Sequence, residues 1–345
     1  MTMERRSFLK LGGSLLATTA LSPVAALAAG ESLTFVAWGG TTQEAQYAAW
    51  AVPLTEATGI TVVNDGPTDY GKLRAMVESG NVTWDVVDVE ANFAFRLAKE
   101  GLLEPIDFTV VNKEGLDERL TFDYGVGSFM SSFIMAWNRD FLAGEPKTWV
   151  DLFDTATYPG KRAFYKWACF GALEIALLAD GVAPDALYPL DLDRAFAKLD
   201  TIKSDIIWWD TGAQSQQLLA SGEAPIGMFW NGRIYSMIKD GMESLAISWE
   251  QHVPGPDMLV IPKGAPNKEA AMKFLAIATS PEGQANFSNA SAFAPINSKA
   301  NALIDPAMQP YMPFAHPEQE VPLDIQYWAE NIDEIGKRWY AWQAG

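Results

Sequence analysis

One cysteine and two histidines are all that 345 residues supply of the side chains that most often hold transition metals. The lone Cys169 has no partner for an internal disulfide and reads as a buried small apolar residue. His252 and His316 are too few for an ordinary zinc site, and no HExxH occurs, so no metal and no cofactor is expected. There is no GxSxG elbow and no Walker loop. Ser236-Met237-Ile238-Lys239 has SxxK spacing, but no KTG partner follows it, and it reads as a helix turn. Asp85 and Asp88 serve a glycosidase only if both face one cleft. No residue is assigned a catalytic role, and an exported enzyme using a carboxylate pair stands as the rival from another class. Lys and Arg number 25 against 43 Asp and Glu, a formal charge of −18. Without a basic footprint, nucleic acid is excluded as a partner. Repeats, low-complexity tracts and charge runs are missing as well.

The first residues are informative by what they contain. Arg5-Arg6 precede Ser7-Phe8-Leu9-Lys10, and a mostly small or apolar stretch runs from Leu11 to Ala28, broken by Pro23. It closes on Ala26-Leu27-Ala28, a small-x-small cleavage site. Residues 1–28 are expected to be a twin-arginine signal peptide, with a mature chain starting near Ala29 in the periplasm. No cysteine marks the cleavage point, so neither a lipid anchor nor stable membrane insertion is expected. The removed segment carries a net of two positive charges, which leaves the remainder more acidic still. Hydrophobic content of 49% with 20% charged residues describes a globular chain long enough for two lobes. Thirteen tryptophans are unusual; most must pack, but a ligand cleft walled by rings is also expected.

Alternation of apolar runs with amphipathic stretches predicts βαβ units and a parallel sheet. Strands are expected at 31–38, 60–63 and 85–89. The helices between them cover about 43–58 and 69–79, and another ends at Gly101. A strand at 133–137 leads to a domain crossing at Asn138. The middle segment has its own helices, at 172–178 and 214–220, and strands at 206–209 and 226–230. At 258–261 the chain returns to the first lobe. Ser280 then caps a helix that begins with Pro281, and 325–342 is a Trp-rich amphipathic helix. Lobe 1 is thus 29–137 with 258–345, and lobe 2 is 138–257. Two α/β lobes joined by two crossings leave a cleft lined by strand ends, where open sheets bind ligands.

Six residues are candidates for that cleft: Trp38 at the end of the first strand, Glu90 and Asn92 at the end of the third, Trp230 and Arg233 at a strand-to-helix junction, and Asp257 before the return strand. Rings and carboxylates together suit an ammonium group. A guanidinium in the first turn of a helix suits a carboxylate. Plainer readings remain: core packing for the tryptophans, a turn cap for Asp257, and for Arg233 an ion pair with Asp210 or Asp257.

Several segments carry a resemblance over nearly the whole chain. They are Trp38, Tyr70-Gly71-Lys72-Leu73 with Met76-Val77, Trp84-Asp85-Val86-Val87, Gly227-Met228-Phe229-Trp230-Asn231-Gly232, and Pro266 to Gln284. Together they resemble the substrate-binding proteins of polyamine (spermidine/putrescine) ABC importers. The resemblance implies a two-lobed, type II-like binding-protein fold that closes on its hinges, with a permease and ATPase as partners. It implies that Trp38 and Trp230 line or stack on the ligand and that Asp257 binds an amine. The aromatic two residues before that Asp is Gly255 here. The acidic pair of spermidine binders falls at Ala168 and Gly171, and a serine and tyrosine become Glu90 and Asn92. Losing the acidic pair while gaining Arg233 favours a shorter ligand. The leading expectation is a small amine of the putrescine type, with Glu90 replacing the lost acid. The alternative is a zwitterion such as 4-aminobutyrate, with its ammonium on Asp257 and its carboxylate on Arg233.

Overall fold

The computed structural model describes residues 31–345; the expected signal peptide lies outside them. Apolar runs closed by turn residues become strands, in chain order β1 (Ser32–Val36), β2 (Thr61–Asp65), β3 (Val86–Glu90), β4 (Thr121–Phe122), β5 (Gly125–Asn138), β6 (Arg162–Tyr165), β7 (Ile206–Trp209), β8 (Ile226–Trp230) and β9 (Leu245–Val260). They form one sheet in the order β2-β1-β3-β9-β5-β8-β6-β7, with β4 beside β5. Each end of the sheet is parallel, β1 with β2 and β3, and β6 with β7 and β8. Its centre is antiparallel, because β5 and β9 run against each other and against their outer neighbours.

Helix boundaries follow local chemistry. Asp69 Oδ1 accepts from Lys72 N at 2.8 Å and starts Tyr70–Ser79, which ends at Gly80 in the left-handed region (φ 70°). Ser280 Oγ accepts from Gly283 N at 3.0 Å ahead of Pro281, as the sequence pattern predicts.

Two hydrophobic cores lie along the sheet. One gathers Phe35, Trp50, Val87 and Phe274; the other gathers Phe164, Leu173, Trp209 and Phe229. Both long strands belong to both cores. In β5, Val126 and Phe129 pack into the first, and Phe133 through Trp137 into the second. In β9, Leu245 and Val253 pack into the second, and Met258 to Val260 into the first. Each long strand thus passes from one core to the other, β5 between Phe129 and Phe133 and β9 between Val253 and Met258. Gly125-Val126-Gly127-Ser128 carries little strand propensity, and pairing with β9 overrides that deficit.

The sequence reading groups the C-terminus entirely with lobe 1. The helix Ile325–Ala344 buries Trp328, Ile332, Ile335 and Trp339 in the second core. Its apolar face meets the rings of that lobe, Trp339 lying 5.5 Å from Trp208, while Arg96 grips Asp333 from the first (2.8 and 2.9 Å). The tryptophan excess is largely packing of this kind: Trp50, Trp84, Trp149, Trp209, Trp328 and Trp339 are all fully buried. No helix among the described residues is long and apolar enough to cross a membrane.

Candidate functional site

At the level where β5 and β9 pass from one core to the other, a cleft opens. Trp38, Glu90, Trp230, Arg233 and Asp257 all line it, so five of the six sequence candidates converge there. Asn92 does not. The helix Ala91–Lys99 begins directly after Glu90 with no intervening loop, which turns Asn92 into the interior, where it is fully buried. Neither atom of its amide finds a partner.

Strand pairing builds the acidic side. Glu90 of β3 stands opposite Asp257 of β9 in the antiparallel register, which puts both carboxyls on one face. Asp257 accepts a hydrogen bond from Trp38 Nε1 at 3.1 Å, and Tyr70 donates its phenol to Glu90. Tyr70 is set by a stack on Phe93, with centroids 3.7 Å apart, and by an edge contact with Trp38. Burial is the main cause that lifts Glu90 to about 7, against the Tyr70 hydrogen bond that lowers it. Asp257 is also pushed well above the usual carboxylate range, first by burial and then by the charges of Asp88 and Glu90. Two buried carboxyls facing each other, which resist ionising together, make a seat for an ammonium that would let both ionise.

The basic side is Arg233, only 7% exposed. Neither acid considered from the sequence pairs with it. Asp210 lies 3.8 Å from Lys166, and Asp257 takes the Trp38 indole instead. Arg233 Nη1 donates to Thr41 Oγ1 at 2.6 Å, across to the first lobe, and its Nε is buried without a partner. Burial lowers its pKa, with only the distant charge of Glu44 opposing. The guanidinium lies in the first turn of Asn231–Lys239 and packs against Gly212, the first residue of the helix Gly212–Ser221. A cation between two positive helix ends, with no carboxylate on it, is a receptor waiting for an anion. Gly212→Ala would drive a Cβ into the guanidinium. Its expected effect is a roughly tenfold weaker ligand affinity with an unchanged fold, readable by titration calorimetry beside circular dichroism.

Each residue of the Trp230-Asn231-Gly232 segment has a separate task. Trp230 is held edge-on by Trp209 (4.8 Å) and Tyr165 (5.1 Å). Asn231 is buried and donates to Ala292 O and Tyr311 O while accepting from Ser132 N, a tie of three segments. A Cβ on Gly232 would sit 2.5 Å from Ser291 O and 2.6 Å from the Phe293 ring. Gly232→Ala is therefore expected to cost about 1–3 kcal/mol of stability, read as a lower urea midpoint.

Sequence reasoning missed Tyr70, Ser131 and Phe170. Tyr70 was quoted only as part of a motif, and its hydrogen bond to Glu90 spans separate elements. Ser131 Oγ donates to Gly255 O at 2.7 Å inside the crossing strands. The wall lacking at Gly255 is supplied by Phe170, whose Cε2 would be 3.5 Å from a Cβ there. Cys169 is buried, as expected, but on the cleft wall. Burial raises its thiol well above the ordinary range, which keeps it unreactive.

The enzyme alternatives lose their geometry. Asp85 caps its strand region, accepting from Thr34 N and Asn267 N, both at 2.8 Å, and neither it nor Asp88 lines the cleft. Ser236 Oγ bonds Arg233 O and Gln216 within the helix packing.

Comparison with known proteins gives one pattern. The family model described as bacterial extracellular solute-binding protein matches residues 49–313. The gamma-aminobutyric acid-binding protein of Pseudomonas aeruginosa is 37% identical, over 93% of each chain. The solved Atu4243 GABA receptor is 56% identical with a TM-score of 0.86, covering 91% of this chain and 98% of that one. The spermidine/putrescine-binding periplasmic protein of Escherichia coli is 23% identical, over 73% of this chain and 75% of its own. This chain belongs to the bacterial extracellular solute-binding protein family and is the solute-binding component of an ABC importer, not an enzyme.

Proposed function

We propose that the protein captures 4-aminobutyrate, or an ω-amino acid of similar length, in the periplasm and delivers it to an ABC permease and its ATPase. One observation carries this reading: a buried guanidinium without a carboxylate partner shares a cleft with the Glu90–Asp257 pair. The ammonium seats between the two acids against the Trp38 face, and the carboxylate seats on Arg233, beside Trp230. A putrescine-type amine, the leading expectation from the sequence, would bring its second ammonium against that guanidinium. The relatives with the higher identities favour the zwitterion too, being described as GABA binders, whereas the polyamine binders stand at 23%.

In this proposal one lobe holds the chain up to about Phe129 and the return segment from Asp257, and the other holds the chain from Phe133 to Val253, joined by the C-terminal helix. The ligand bridges them, Trp38, Glu90 and Asp257 on one side and Trp230 and Arg233 on the other, and biases the closed arrangement by contacts made only there. Residues 1–28 serve as the twin-arginine export signal. Titration calorimetry of the mature, ligand-free protein with 4-aminobutyrate, putrescine and spermidine tests the ligand. Binding of 4-aminobutyrate with silence toward both polyamines is expected. Tight putrescine binding with none of 4-aminobutyrate would reverse the reading and make Glu90 the second amine's partner.

A further inference from the structure

Below the cleft floor, two residues back from Glu90 on the same face of β3, Asp88 is completely buried. Its Oδ2 accepts from the Gln46 amide nitrogen and from Ser128 Oγ (3.2 Å). Its other oxygen, Oδ1, has no partner, and neither has Gln46 Oε1; both are sealed from water. The groups that face Asp88 are Glu90 from its own strand, Asp257 from β9, Gln46 from the helix Gly40–Gln46 and Ser128 from β5. Two are acids, two are neutral and none is a base. An ionised Asp88 here would leave two buried acceptors unsatisfied and a third negative charge beside two others. A carboxyl and a primary amide that already share one N–H···O bond each keep an orphan oxygen, and a proton on the carboxyl supplies the donor that such a pair lacks.

We propose that Asp88 is a neutral carboxylic acid whose Oδ1–H donates to Gln46 Oε1, closing a cyclic acid–amide pair and restricting the negative charge of the cleft floor to Glu90 and Asp257. Its protonation is in keeping with burial, which pushes this carboxyl up to about 8. Asp88 touches no ligand and acts as a positioning residue. Its proton lets the two acids above it ionise around one ammonium without a third anion beneath them. The link to ligand choice rests on the zwitterion reading of the cleft; the protonation itself does not.

The test is infrared difference spectroscopy on unliganded mature protein near neutral pH, parent against Asp88→Asn. Asparagine keeps the ring of hydrogen bonds, since its amide donates to Gln46 Oε1 and accepts from the Gln46 nitrogen. The expected result is a carbonyl stretch of a protonated carboxylic acid that the parent has and the variant lacks. Gln46→Leu, which removes the Oε1 acceptor together with the Nε2 donor to Asp88 Oδ2, is expected to move that band to higher frequency. If Asp88→Asn fails to fold, the Gln46→Leu spectrum decides alone, and an unmoved spectrum overturns the assignment. Affinity of folded Asp88→Asn for 4-aminobutyrate is expected within about fivefold of the parent. A missing parent band, or a larger loss of affinity, would show that Asp88 acts as an anion. A parent that does not bind 4-aminobutyrate would sink the cleft reading and leave the infrared band to decide the proton on Asp88.

Discussion

Arg233→Leu is expected to weaken 4-aminobutyrate binding by at least about 100-fold, because truncating one member of a desolvated charge pair costs about 2–5 kcal/mol. The variant removes the only cation that lines the cleft among the described residues and leaves the ligand carboxylate facing rings. Arg233→Lys is expected to fall between, since a point charge replaces a planar fork that already spends Nη1 on Thr41. Calorimetry with 4-aminobutyrate and putrescine side by side separates this from unfolding. The diamine should bind no worse to Arg233→Leu than to the parent, and better if guanidinium repulsion had excluded it. An unchanged dissociation constant for 4-aminobutyrate would move the carboxylate elsewhere and return Arg233 to a structural role.

Asp257→Asn carries the second large effect, again about 100-fold, by the loss of a buried ammonium partner. The substitution is chosen because the asparagine oxygen can still accept from Trp38 Nε1, so charge is removed while the indole keeps its anchor. The same side of the cleft sets a pH dependence. In the empty cleft Glu90 holds its proton up to about 7, and Asp257 is held well above its ordinary range. A protonated acid must release that proton before it can pair with an ammonium. The free protein therefore binds more protons than the complex, and affinity falls on the acid side and rises with pH until Glu90 is ionised. The slope is at most about tenfold per pH unit for each proton released. Glu90→Gln should flatten the profile around pH 7, with Tyr70, Asp257 and Asp88 the remaining titratable neighbours. A parent affinity constant from about pH 5 to 8 would show that the carboxyls stay ionised when empty.

What the sequence discloses here depends on the range of the interaction. β7 and β8 coincide with their expected bounds, since Ile206–Trp209 and Ile226–Trp230 are apolar runs, half-buried and buried respectively, closed by Asp210 and by a helix start. The first eight residues of β5 escaped notice because their glycines and serines become a strand only through β9, more than a hundred residues away. Trp38 and Trp230 were legible at or just past strand ends, whereas Asp257, read as preceding a return strand, lies within the continuous β9. Asn92 was misplaced because one residue of helix start decides whether a side chain faces the cleft or the interior. Nothing in a linear reading links Tyr70 to Glu90 or Phe170 to the gap at Gly255. Those pairings exist only once the lobes are folded.

Gly171 has a consequence for history as well as for packing. It stands where the resemblance to spermidine binders places one of their acids, and its φ is 120°, a conformation that residues with a Cβ seldom adopt. A Cβ there would lie 2.9 Å from the Phe133 ring and 3.0 Å from Met228 Cε. A single codon change to Asp or Glu thus gives a strained backbone and a collision with the second core before it gives any new affinity. Phe133 and Met228 would have to shrink first, each a loss with no immediate return. An acid at this position is therefore expected to need changes at Phe133 and Met228 as well, so a residue without a side chain bears on which ligands the cleft can come to hold.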